Sequence, residues 1–279
     1  MINYNGELLS SDSNISNANR AFLYGDGVFE TLKIVNNKIL FFEDHYFRLM
    51  ASMRICRMEI PMLFTMEYFE EQLLSVVENN GYSTSARARI TVYRNDGGYY
   101  LPTTNEISFL IHTSPLDNQS FVFVTKECEV DLYKDFYISK QLLSTLKTTN
   151  KVVQVTASIY VNENELDNCI MLNDSKNVVE VLQGNIFMLQ GNTLITPPIS
   201  EGCTNGVMRK QVIALAKKIE GLEVIEEIIS PFDLQKADEL FFTNVIKGIQ
   251  SITKYRKKEF VTTTANALVQ KLNELVAEN

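Results

Sequence analysis

The feature that most limits how this chain can fold is the stretch Ser114-Pro115-Leu116-Asp117-Asn118-Gln119-Ser120, which is polar and turn-rich between long runs of strand-like and helix-like patterning. A stretch of that composition carries no apolar period of two or 3.6 residues, so it marks a boundary rather than an element. It cuts the chain into blocks 1–116 and 121–279, each long enough to bury a core of its own.

Within the first block, short apolar runs punctuated by Asn-Gly and Asn-Asn-Lys predict strands and hairpins over residues 1–40. Helices are predicted around Glu43–Arg57 and Thr65–Asn79, where Phe69, Leu73, Leu74 and Val77 recur at helical spacing. Strands follow at Ala88–Tyr93 and Glu106–His112, separated by a long glycine-containing loop over Arg94–Pro102 of the kind that carries function. The second block predicts a strand at Phe121–Val124, a helix over Asn150–Asn162, and a strand pair at Val178–Leu182 and Ile186–Leu189 continued by Thr193–Thr196. An amphipathic helix after Asn205, strands at Val224–Ile229 and Glu239–Thr243, and a helix over Thr262–Leu275 complete a two-domain α+β chain.

Charge and cysteine content narrow the function classes. With 26 basic against 34 acidic residues and a formal charge of -8, the chain has no basic footprint for nucleic acid or an anionic membrane. Cys56, Cys128, Cys169 and Cys203 are scattered with no CxxC pair, and the chain has two histidines, so no metal site is expected and reduced thiols are. No apolar run is long enough to span a bilayer and Met-Ile-Asn-Tyr-Asn-Gly has no signal-peptide layout, which predicts a cytoplasmic protein acting on a small molecule.

Four features suggest chemistry. Lys147 lies in the polar patch Ser144–Asn150 between apolar segments, where desolvation lowers an amine's pKa and favours imine formation, although by pattern alone Lys140 and Lys151 are its equals. Glu180 interrupts Val178-Val179-Glu180-Val181-Leu182, and a buried carboxylate needs a positive or protonated partner unless the strand turns it outward. A pyridoxal ring nitrogen is one such partner. Gly206-Val207-Met208 opens a helix whose free amides suit a phosphate or a plain N-cap, and Arg48 can supply a charge-assisted fork or simply pack. His45 and His112 have no nearby serine or cysteine motif and read as structural.

Taken in order, these segments resemble the class IV aminotransferase family from about Ala18 to Ile252. Ala21-Phe22-Leu23-Tyr24-Gly25-Asp26-Gly27-Val28-Phe29-Glu30 resembles its N-terminal signature and His45-Tyr46-Phe47-Arg48-Leu49 its phosphate-binding arginine helix. Lys147-Thr148-Thr149-Asn150, Glu180, Gly184-Asn185-Ile186-Phe187, Thr196-Pro197, Gly206-Val207-Met208-Arg209 and Ala237-Asp238-Glu239-Leu240-Phe241 follow in family order. The resemblance implies fold type IV, with a small N-terminal α/β domain and a larger C-terminal pseudo-barrel domain that carries the Schiff-base lysine. It further implies pyridoxal 5'-phosphate held between the domains, and a homodimer whose partner chain contributes to each site. It selects Lys147 for the Schiff base, pairs Glu180 with the ring nitrogen, and surrounds the cofactor with Arg48, Lys151, Asn185, Gly206, Val207, Met208 and Asn244. Substrate contacts are implied for Tyr24, Phe29, Thr31 and Tyr99.

Inside the family, Lys147–Val155 and the loop with Gly97-Gly98 and Tyr99-Tyr100 are similar to 4-amino-4-deoxychorismate lyase, which releases 4-aminobenzoate and pyruvate for folate synthesis. Lys151 stands where many branched-chain transaminases have a tyrosine, and the Arg-x-His pair of D-amino-acid transaminases is absent. Met208 and Val245 replace hydroxyls common in transaminase phosphate cups. The lyase is therefore the expectation, with a branched-chain or D-amino-acid aminotransferase using 2-oxoglutarate as the alternative. A binding protein with a decayed site is a further one, which Lys147, Glu180 and Arg48 together oppose.

Overall fold

A computed structural model describes residues 1–82, 84–123 and 126–278. By internal contacts the chain forms two compact units, residues 1–119 with 146–150, and residues 120–145 with 151–279.

In the first unit the elements are β1 (Ile2–Tyr4), β2 (Glu7–Leu9), α1 (Arg20–Tyr24), β3 (Gly27–Val35), β4 (Lys38–Ile39), α2 (Phe42–Ile55), α3 (Met66–Asn79), β5 (Ser85–Arg94) and β6 (Ile107–Pro115). The strands make one sheet in the order β2-β1-β6-β5-β3-β4. Period-two alternation sends Val28, Leu32, Ile34, Ala86, Ala88, Ile90, Val92, Phe109 and Ile111 to one face, where Leu49, Met53, Phe69, Leu73 and Val76 of the two long helices cover them. Thr65 accepts from the Tyr68 amide and caps α3, an arrangement worth about 1 kcal/mol.

The second unit follows as β7 (Glu129–Ile138), α4 (Val152–Glu163), β8 (Asn168–Asn173), β9 (Val178–Val181), β10 (Asn185–Gln190), β11 (Thr193–Thr196), α5 (Val207–Ala216), β12 (Glu223–Glu226), β13 (Glu239–Asn244), β14 (Gly248–Ile252), β15 (Lys254–Tyr255), β16 (Lys258–Glu259) and α6 (Thr263–Glu278). They form two sheets, β12-β11-β10-β13-β14 and β16-β15-β7-β8-β9, with a core that includes Val130, Ile170, Val181, Ile186, Leu240 and Phe242. Among the described residues no helix is long and apolar enough to cross a membrane.

Three expectations need correction. Phe121–Phe123 form no strand, and Val124 lies outside the described residues; instead the Phe121 backbone is pinned in both directions by the Asn273 side chain of α6. The segments read as a strand pair, β9 and β10, belong to different sheets, because Gly184 turns the chain against the backbone of Thr243 so tightly that a Cβ there would lie 2.3 Å from the Thr243 carbonyl oxygen. Lys147 was expected in the second domain, yet residues 146–150 group with the first unit because their backbone extends that unit's sheet.

Candidate active site

In β3 the residue between Val28 and Leu32 on the helix-covered face is Glu30, 2% exposed. An isolated carboxylate there would be costly, and α2 supplies the compensation from two residues three apart, on one face of the helix. His45 Nδ1 lies 2.8 Å from Glu30 Oε2, Arg48 Nε donates to Oε1 at 2.7 Å, and Arg48 Nη2 donates to Oε2 at 2.5 Å. Burial opposes ionisation of Glu30, but the Arg48 charge and the His45 and Arg48 hydrogen bonds outweigh it and hold the carboxyl at about 2. His45 is pushed down by burial, against the pull of Glu30, and among the described residues its buried Nε2 has no hydrogen-bond partner.

Lys147 is placed by backbone pairing rather than by a helix. Beyond the reach of β4, the edge of β3 is completed by residues 147–149: the Phe29 amide donates to the Lys147 carbonyl at 2.8 Å and the Thr149 amide to the Gly27 carbonyl at 2.8 Å. The close approach needs Gly27, where a Cβ would stand 3.0 Å from the Val92 carbonyl oxygen. The Lys147 Nζ then lies 4.7 Å from the centroid of the Phe29 ring. Thr31 projects from the same face of β3 as Phe29.

Beside this stands the long loop. Buried Arg20 binds Asp26 through Nε at 2.8 Å and donates through Nη1 to the carbonyls of Gly97 at 2.9 Å and Tyr99 at 2.7 Å. Gly98, at φ 74°, has room for no side chain, since a Cβ would fall 2.1 Å from the Leu101 carbonyl oxygen. The loop backbone is therefore fixed while Tyr99 projects from it, 81% exposed. Tyr24 packs its ring against Tyr100, centroids 6.0 Å apart, rather than against Tyr99.

In the second unit, Glu180 of β9 is buried and accepts from the Thr204 amide at 3.0 Å, while Asn185 of β10 donates to the Thr204 carbonyl at 2.8 Å. One peptide segment is thus held by both residues. It leads into Gly206, the N-cap of α5, which as a glycine makes no side-chain cap hydrogen bond to the first-turn amides. A Cβ on Gly206 would lie 2.0 Å from Asn185 Oδ1. The Met208 side chain is buried in the core, leaving its backbone as the group turned to the helix end. Asn244 follows Thr243, which pairs with Asn185, but its Oδ1 accepts from Ile246 and Lys247 in the β13–β14 turn, so only its amide NH2 can meet a ligand. Lys151 is the N-cap of α4.

The structure therefore assembles Lys147, Phe29, Thr31 and Arg48 in one unit, and Glu180, Asn185, Gly206, Val207 and Met208 in the other, with Asn244 adjoining. Sequence reasoning passed over Glu30 and Arg20. The signal for Glu30 was the one used for Glu180, a carboxylate interrupting an apolar strand face; Arg20 had none, because the loop carbonyls it grips lie far along the chain.

Residues 27–255 match the model of the amino-transferase class IV family. The chain is 29% identical over 282 residues to a Methanocaldococcus jannaschii protein provisionally assigned as a branched-chain-amino-acid aminotransferase, spanning 97% of this chain and 93% of that one. It is 24% identical over 243 residues to the aminodeoxychorismate lyase of Vibrio harveyi, spanning 84% of each. Its fold matches the crystal structure of the branched-chain aminotransferase from the thermophilic archaeon Thermoproteus uzoniensis with norvaline, at a TM-score of 0.87 and 22% identity over 99% of this chain and 94% of that one. The chain belongs to the amino-transferase class IV family and is an enzyme of that class.

Proposed function

We propose that the chain is a pyridoxal-phosphate-dependent, 4-amino-4-deoxychorismate lyase-like enzyme that releases 4-aminobenzoate and pyruvate, working as a cytoplasmic homodimer. The donor set supports the cofactor. Lys147 offers an amine held beside an aromatic ring, Arg48 and the uncapped amides of Gly206, Val207 and Met208 offer phosphate donors, and the buried carboxylate of Glu180 suits a protonated ring nitrogen. Lys151, Asn185 and the amide of Asn244 are assigned around them. When bound, pyridoxal phosphate supplies an aldehyde that condenses with amines and a ring that takes up the electron pair left when a carbon beside the amine loses its proton.

The remaining work belongs to the chain. Lys147 Nζ removes the proton from the ring carbon that bears the substrate amine and delivers one to the departing three-carbon group. The bond from the ring to the enol-ether oxygen breaks as the ring becomes aromatic, so one substrate gives one 4-aminobenzoate and one pyruvate with all atoms accounted for. Thr31 and Tyr99 contact the chorismate-derived acid, with Phe29 and Tyr24 walling the site.

The observation that carries the lyase choice is the Gly97–Tyr100 loop, whose carbonyls are gripped by Arg20 so that Tyr99 is held out from a rigid backbone. A branched-chain or D-amino-acid aminotransferase is the second reading, favoured by the extent of the similarity to the Methanocaldococcus jannaschii protein. The test is to load the purified protein with pyridoxal phosphate, record its visible band, and assay 4-aminobenzoate and pyruvate release from aminodeoxychorismate beside transamination of leucine and D-alanine with 2-oxoglutarate. Release of 4-aminobenzoate without glutamate formation is expected; glutamate formation alone selects the transaminase.

A further inference from the structure

Lys140, which pattern alone does not separate from Lys147, ends in an ion pair: its Nζ donates to Glu201 Oε1 at 2.6 Å. Glu201 is 3% exposed, and its other oxygen, Oε2, accepts from Asn173 Nδ2 at 2.7 Å and from Asn177 Nδ2 at 3.0 Å. Asn173 Nδ2 also donates to the Glu201 backbone carbonyl at 3.1 Å, so the residue is gripped by side chain and peptide together. Burial opposes ionisation of Glu201, but the bonds from Lys140, Asn177 and Asn173 and the Lys140 charge outweigh it, and its carboxyl titrates below the usual range.

These bonds join three segments of the second unit. The first, residues 139–145, runs directly into Leu146 and Lys147. The second is the turn between β8 and β9, which opens β9 and so leads to Glu180; Asn173 Oδ1 closes it by accepting from the Ser175 and Asn177 amides. The third, residues 199–206, leads from Glu201 to Thr204, whose amide meets Glu180, and then to Gly206 at the start of α5. Two backbone contacts seal the first against the third. The Asn205 amide donates to the Thr145 carbonyl at 3.1 Å, and Gly202, at φ 96°, comes so close that a Cβ there would lie 2.8 Å from the Ser139 carbonyl oxygen. The Asp174 amide donates to the Ile138 carbonyl at 3.2 Å, which ties the first to the second as well.

A buried ion pair adds little stability over apolar residues of the same volume, so stability alone does not account for it; what such a pair fixes is one arrangement of the chain. All three segments converging on Glu201 lead to groups assigned to the cofactor. We propose that Glu201 is a positioning residue for this chemistry: through Lys140, Asn173 and Asn177 it holds in one register the run into Lys147, the entry to Glu180 and the peptide Thr204–Gly206. This rests on the reading of Lys147, Glu180 and the amides at Gly206 as the groups that meet pyridoxal phosphate.

The test uses the full-length protein with and without pyridoxal phosphate. In Glu201→Gln the new amide NH2 must face either Lys140 or the two asparagines, donor against donor. Cofactor affinity by dialysis and absorbance should fall about tenfold, and the pH midpoint of the visible band should move by about half a unit. Without cofactor, hydrogen exchange at the Thr204 and Asn205 amides should quicken about tenfold. Adding Lys140→Met to Glu201→Gln removes the opposed donor, lets the glutamine oxygen serve the asparagines, and should recover most of each loss. Asn177→Ala takes away one donor of the three and should move the same readouts about threefold less, which decides the matter should Glu201→Gln not fold. A lowered melting temperature in Glu201→Gln or Asn177→Ala with parental exchange, band midpoint and cofactor affinity would overturn the proposal, as would a double variant with no recovery. Failure of the enzyme reading is distinct: the parent would form no visible band on adding pyridoxal phosphate, while exchange at Thr204 and Asn205 would still decide whether Glu201 holds the segments.

Discussion

Glu30 and Glu180 occupy similar positions in the two units, and the way each is satisfied differs. Both interrupt strands that are otherwise apolar on the face concerned, and both are almost wholly withdrawn from solvent. Glu30 is met by a guanidinium whose charge opposes its own and by an imidazole from the same neighbouring helix. Glu180 accepts from the Thr204 amide, a bond that ties the carboxylate to the segment leading into α5. A buried carboxylate in an apolar strand thus signals that a partner exists, and under the proposed function Glu30 holds the fold while Glu180 serves the cofactor.

The largest effect that bears on this contrast comes from Lys147→Ala, which should remove turnover entirely and with it the visible band, while leaving the melting temperature close to that of the parent. Residual activity within tenfold of the parent would mean that Glu180 serves some other amine. Next is Glu180→Gln, expected to lower kcat on the order of 10²–10³, the usual loss for one preorganised electrostatic group, with little change in stability. If Glu180→Gln instead destabilises the protein and spares kcat, the two carboxylates are alike and the distinction fails.

Glu30 predicts the opposite signature. Its carboxyl is held at about 2 against an ordinary value of 4.5, so ionised Glu30 favours the folded state by about 3 kcal/mol. Because the folded value is the depressed one, that stability is present in full above pH 4.5 and is lost as the pH falls toward 2. Acid unfolding followed by circular dichroism should show this slope, and Glu30→Gln should flatten it while lowering stability at pH 7 by a similar amount. An unchanged acid slope in the variant would show that Arg48 and His45 do not hold this charge.

How much of this was legible in the sequence follows from how local each constraint is. The helices α2, α3, α5 and α6 announce themselves because their apolar residues repeat at 3.6, and β5, β6 and β13 because their runs are bounded by turn residues. By contrast β7 carries Lys134, Asp135, Phe136 and Tyr137 as an exposed run that looks like surface chain, and β8 is six buried residues between asparagines with no period to read. Glu180 was legible from its apolar neighbours. Lys147 was not separable from Lys140 and Lys151 by pattern, since backbone pairing with β3 places it; only family resemblance singled it out. That Lys33, Arg87 and His112 share one sheet face was invisible for a related reason: they come from three strands, and register between strands is not written in any one of them.

The smallest expected effect tests whether the Glu180 anchor is a rigid device. Gly206 has φ -73°, which any residue can adopt, so a substitution there is opposed by contact and not by backbone strain. In Gly206→Ala the new methyl meets Asn185 Oδ1 at 2.0 Å, and Asn185 must give way. Asn185 also holds the Thr204 carbonyl, and Thr204 holds Glu180, so the displacement reaches the carboxylate through one peptide segment. Overpacking of this kind costs about 1–2 kcal/mol, and cofactor affinity measured by dialysis and absorbance should fall about tenfold. Asn185→Ala removes the obstructing oxygen as well as the Thr204 bond, so adding Gly206→Ala to it should cost little more. That non-additivity is the sharp outcome, because two independent sites would add. Full additivity would mean that the methyl is accommodated elsewhere and that Asn185 does not transmit it to Glu180.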